Sequence, residues 1–83
     1  MRFYFDMRDG EDFARDDIGV DLHSAKAARL QPTIALTEMA RDYLPTDGDH
    51  RNLGIKVRNA EGVLFDVSLE YALEYHGPKS DER

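Results

Sequence analysis

The sequence predicts an α+β fold, a two-layer sandwich of order ββαββ with an antiparallel four-stranded sheet and one helix on one face. Three observations predict it. Residues 2–8 and 53–57 alternate apolar and polar with period two, the segment from Ala25 to Leu44 switches to a helical period, and turn dipeptides separate the runs.

In the first run Phe3, Phe5 and Met7 point one way and Arg2, Tyr4, Asp6 and Arg8 the other, as in a half-buried strand. Asp9-Gly10 supplies a turn, because glycine accepts positive φ. A second, less regular strand follows, with Phe13 near its start and Ile18, Val20 and Leu22 alternating at its end. Gly19 inside that run predicts a bulge or a close backbone approach. Ser24 is placed to cap a helix. Ala25, Ala28, Pro32, Leu36, Met39, Ala40 and Tyr43 fall in one stripe suited to a core. Pro32 predicts a kink, or a helix that ends near Leu30 and restarts at Pro32. Leu53, Ile55 and Val57 form a third strand, Asn59-Ala60-Glu61-Gly62 a turn, and Val63, Phe65, Val67 and Leu69 a fourth. Ser68 is also placed to cap a short terminal helix through Tyr71 and Tyr75. The expected core is Phe3, Phe5, Ile18, Val20, Leu36, Met39, Ile55, Val57, Phe65 and Val67. One domain is expected over residues 1–75, with a disordered polar tail over 76–83. Strand order stays open.

These features carry a resemblance. Arg2 to Gly10 forms an aromatic strand ending in Asp-Gly, and Asp17-Ile18-Gly19-Val20-Asp21-Leu22 precedes an Ala27-Ala28-Arg29 helix start. Val57-Arg58-Asn59-Ala60-Glu61-Gly62 is a second strand-turn signature. From about Arg2 to Leu69 the chain resembles a family of short alphaproteobacterial proteins known only as a domain of unknown function. The resemblance implies this fold and a bacterial cytoplasmic setting, and it brings no catalytic residue with it.

Composition narrows function. The 83 residues contain no cysteine, which removes disulfides, thiolate zinc sites and thiol catalysis. His23, His50 and His76 share no helical ligand spacing. The start of the chain shows no charged region followed by an apolar run of about 7–15 residues, so no signal peptide is expected and cytoplasm is the default. Neither is there an apolar run of the roughly 18 residues a membrane span needs. Seventeen acidic residues against eleven basic ones give a net charge of −6. Such a chain repels a phosphate backbone at long range.

Asp9, Glu11, Asp12, Asp16 and Asp17 form an acidic hairpin without the spacing of a calcium loop, so a solvated loop is expected. Asp47, Asp49 and His50 lie in one turn-rich segment and are read as a loop, not a metal site. Ser24, Thr37 and Ser68 are explained by a cap, a helix face and a strand end, leaving no positioned nucleophile. No enzyme activity, cofactor or metal is therefore expected.

Two surfaces stand out. Leu30 and Ile34 point away from the core stripe, one turn apart, and together with Tyr71 and Tyr75 they form a candidate interaction surface. Alternatively, a kink at Pro32 brings Leu30 to the core. A small core also favours self-association, so a protein partner or a second copy, in a homodimer, is expected. The other surface needs the first and third strands to be neighbours. Arg2, Tyr4, Arg8, Lys56 and Arg58 then share a face able to grip single-stranded nucleic acid. Asp6 and Asp66 on that face oppose this reading, and cross-strand ion pairs explain the same charges.

Overall fold

The computed structural model describes residues 1–46 and 48–77. Asp47 and the tail from residue 78 lie outside the described residues. Among the described residues, five strands and one helix follow in the order β1 (Arg2–Asp9), β2 (Asp12–Ala14), β3 (Val20–Asp21), α1 (Ala25–Tyr43), β4 (His50–Asn59) and β5 (Gly62–Ala72). All strand pairings are antiparallel, in the order β2-β1-β4-β5, with β3 also pairing β1. The expected α+β sandwich is thus present, and β1 and β4 are neighbours.

The second strand of the sequence reading is divided. Its two halves pair β1 at Met7–Asp9 and at Arg2–Phe3, and residues 15–19 leave the sheet between them. Gly19 explains the detour. Its φ is +75°, and a Cβ there would sit 2.8 Å from the Tyr4 ring and 2.9 Å from the Phe3 carbonyl oxygen. The close approach anticipated at Gly19 is found, but it turns the strand's apolar residues outward. Ile18 is 80% exposed and Val20 is also exposed, so neither belongs to the core as expected.

The helix runs continuously across Pro32, so the alternative in which it ends near Leu30 and restarts at Pro32 is not realised. Ser24 Oγ accepts the Ala27 N–H at 3.2 Å at its start. Proline inside a helix forfeits one hydrogen bond and costs about 3 kcal/mol. Here the ring is fully buried between Ala28 and Leu36 on the sheet-facing stripe, and that burial offsets the loss. The core comprises Phe3, Ala28, Leu36, Leu53, Ile55 and Val57, with Phe5, Leu22, Ala35, Met39, Phe65 and Val67 packed around it.

The terminal helix is replaced by strand. β5 runs on to Ala72, with Tyr71 opposite Arg51, and Leu73 N–H still donates to Asp49 C=O at 2.7 Å. The alternation of Phe65, Val67, Leu69 and Tyr71 continues unbroken, and pairing along β4 outweighs the weak local cap signal at Ser68. Near the turn, Val57 faces Phe65 while Arg58 faces Val63, so Leu64 is the extra residue of a β-bulge.

Candidate functional site

The sheet has one face under α1 and one open face, and charged residues of β1 and β4 alternate onto the open one. Asp6 is 3% exposed there. Burying a carboxylate is costly unless it is paired and hydrogen-bonded. Arg58 Nε donates to Asp6 Oδ2 at 2.8 Å, Arg58 Nη2 to Oδ1 at 3.2 Å, and the Asp16 N–H to Oδ1 at 2.9 Å. Arg58 Nη2 also donates to the Asp16 carbonyl at 2.7 Å, and the guanidinium lies 4.7 Å from the centre of the Tyr4 ring.

Asp16 completes the arrangement. Its Oδ2 accepts the Phe5 N–H at 3.0 Å, and its Oδ1 accepts the N–H groups of Ile18 and Gly19 at 3.0 and 2.9 Å. Between β2 and β3 the carboxylate of Asp16 therefore takes the place of a strand, satisfying the β1 edge amide that the detour leaves open. The hydrogen bond from Arg58 is the main reason the Asp6 carboxyl is held below its ordinary value of 3.8, against the opposing effect of burial. Asp16 is lowered chiefly by the Gly19 and Phe5 amides.

Arg2 donates to the Ile18 carbonyl and to Asp21. Arg8 donates to Asn52 Oδ1 at 2.6 Å and lies across Gly54, where any Cβ would collide with its guanidinium. Lys56 is exposed and makes no ion pair with a described residue. The structure thus brings Arg2, Tyr4, Arg8, Lys56 and Arg58 onto one face, but commits Arg2 and Arg58 to carboxylates and covers the Tyr4 ring with Arg58. A hollow of about 230 Å³ lies over Gly54, bordered by Arg8, Phe13, Lys56 and Ser68.

At the far end of the helix-covered face, Arg51 pairs with Asp9 through two hydrogen bonds of 2.9 and 2.6 Å and stacks 4.9 Å from the Tyr43 ring. That pairing lowers the Asp9 carboxyl. Asp9 and Asp16 of the acidic group are accordingly fold-holding residues. Asp17 pairs with Arg15, while Glu11 and Asp12 are exposed. Among the described residues, no three histidines or carboxylates converge as metal ligands. Asp49 and His50 are exposed where β4 begins.

On α1, Leu30 is 57% and Ile34 48% exposed, on the side turned away from the sheet. Lys26, Arg29, Leu30 and Thr33 border a hollow of about 230 Å³ on that side. Tyr71 sits half-buried in β5, and Tyr75 is exposed beyond it. The two tyrosines therefore belong to the sheet's end, separate from the outward side of α1.

The roles of Asp6 and Asp16 escape sequence reasoning. Asp16-Asp17-Ile18-Gly19 carries a local signal for the second, a carboxylate that can take amides two and three residues on. The Asp6–Arg58 pair joins residues 52 apart and has no local signal.

No helix among the described residues is long and apolar enough to cross a membrane. No curated protein and no solved structure matches the chain. A family model matches residues 2–70, most of the chain, and the protein belongs to that family, described as domain of unknown function DUF6894.

Proposed function

We propose that the domain is a non-enzymatic, self-associating protein-interaction module. One observation carries this reading: large apolar side chains are left on the surface in two ordered places. Leu30 and Ile34 are outward on α1, and β5 presents an apolar row with no strand on its far side among the described residues. Contiguous apolar surface on so small a chain favours association. The buried or half-buried carboxylates Asp6, Asp9 and Asp16 are tied to arginines or amides, so none is placed to act as a free acid or base.

The test is solution mass by light scattering on a sizing column across a concentration series. A dimer that forms with rising concentration is expected; a monomer throughout contradicts the proposal. In the same reading, Leu30 and Ile34 serve a protein partner, and Ile34→Glu changes stability by less than about 0.5 kcal/mol because the site faces water.

Single-stranded nucleic-acid binding on the open face is the lesser reading. It has Arg8 and Lys56 to offer, while Tyr4 and Arg58 are occupied with each other. Absence of oligonucleotide binding at low salt removes it.

A further inference from the structure

The edges of the sheet are treated very differently. β1 is covered along its outer side by β2, the Asp16 carboxylate and β3. β5 has eleven residues, pairs only β4 among the described residues, and contains neither proline nor lysine. A long edge without such devices is a template for another strand. The hydrogen-bond phase of that edge follows from the ladder. Leu73 N–H points to β4, so by alternation the N–H and C=O groups of Asp66, Ser68, Glu70 and Ala72 point to the free side. Phe65, Val67, Leu69 and Tyr71, on the helix-covered face, are each only half-buried, because no strand of the described residues covers their other flank.

We propose that a second copy of this chain pairs antiparallel with β5, with the two-fold axis passing between the two Leu69 residues. This rests on the reading of the domain as self-associating, and it names the surface and the register. Charge selects the register. A pairing centred on Asp66 or Glu70 sets that acid against its own copy, and one centred on Ser68 sets Asp66 against Glu70 twice; like charges directly opposite are destabilising. A pairing centred on Val67 carries Glu70 onto the bulge at Leu64 and breaks the ladder there. The Leu69-centred register avoids both faults. It sets Asp66 opposite Ala72 and Ser68 opposite Glu70 on the open face. On the other face it sets Val67 opposite Tyr71 and Phe65 opposite Leu73, around the Leu69 pair. The half-covered row is then continuous across two copies. Leu69 falls at a non-hydrogen-bonded position, where opposing Cβ atoms approach most closely.

The absence of cysteine allows a clean test. Single variants Leu69→Cys, Val67→Cys, Tyr71→Cys and Ile34→Cys are treated with diamide, and disulfide-linked dimer is followed by non-reducing electrophoresis. The proposal predicts crosslinking of Leu69→Cys roughly tenfold faster than the others, since only there do the two Cβ atoms come within bridging range. In parallel, solution mass is measured for Ser68→Pro and Ser68→Glu, with circular dichroism as the check on folding. The Ser68 N–H faces the free edge, so proline there removes an outward donor and leaves the β4 ladder in place. Ser68→Glu sets an acid opposite Glu70 of the second copy, twice across the two-fold axis. Either change is expected to raise the dimer dissociation constant at least about tenfold. A dimer that persists in both variants, with crosslinking fastest at Ile34→Cys, overturns the edge pairing and leaves self-association standing. A chain that is monomeric at every concentration overturns both.

Discussion

The outer side of β1 and the outer side of β5 solve the same physical problem in opposite ways. Each presents a row of N–H and C=O groups that point away from β4. On β1 the edge is closed by two short strands and, where they part, by a side chain: Asp16 accepts the Phe5 N–H and fastens its own loop through Ile18 and Gly19. The closure is polar and internally satisfied, and it uses a buried Asp6–Arg58 pair as its base. On β5 the edge is long, regular from Phe65 onward and apolar on the helix-covered face. Charged stitching at one edge makes that side a fixed boundary, so the proposed association falls to the other.

The comparison breaks most readily at Asp6. Asp6→Ala leaves Arg58 without its carboxylate and frees the Asp16 loop, and it should cost about 3 kcal/mol in urea unfolding, in the range for halving a buried ion pair. A loss below about 0.5 kcal/mol would mean that the loop is held by something other than this pair.

Acid provides the next test. Asp6 and Asp16 have carboxyls lowered in the folded chain, chiefly by Arg58 and by the Gly19 and Phe5 amides respectively. The unfolded chain therefore binds protons first as pH falls. Stability from these groups is fully present above their ordinary value of 3.8 and is lost as pH drops through the lower folded values. Thermal melts of the wild-type chain should fall below about pH 4, and Asp16→Asn should fall less steeply than wild type.

The smallest effect sharpens the contrast between core and surface. Ile18→Ser removes a large apolar side chain, yet Ile18 is 80% exposed, so its stability effect should stay within about 0.5 kcal/mol. If it costs as much as a core deletion, Ile18 packs against the sheet and the detour at residues 15–19 is not solvated.

These outcomes also mark what the sequence carries. Local signals were sufficient for the Phe3/Phe5/Met7 alternation, the Asp9-Gly10 turn, the Ser24 cap and the sheet-facing stripe through Ala28, Pro32 and Leu36, because each is set by neighbours a few residues away. Ile18 and Val20 read as core by alternation. Gly19 at positive φ, between them, turns them out, and its partners Tyr4 and Phe3 are distant in sequence. Pro32 predicts a kink or a restart because its cost is local, whereas the burial that lets the helix run on comes from the sheet. Beyond Leu69 the local pattern also allows a short helix capped by Ser68, and only pairing with β4 carries the strand on to Ala72. The arrangement around Asp6 depends on Arg58, which no spacing rule ties to it.

Hydrogen exchange of individual amides in dilute and concentrated samples tests the central claim most directly. The account predicts that the outward-facing amides of Asp66, Ser68, Glu70 and Ala72 exchange quickly when dilute and become protected on concentration, while the β1 edge, including the Asp16-bound amide of Phe5, stays equally protected in both. Protection that appears instead at β2 or β3, or concentration-independent exchange along β5, would contradict it.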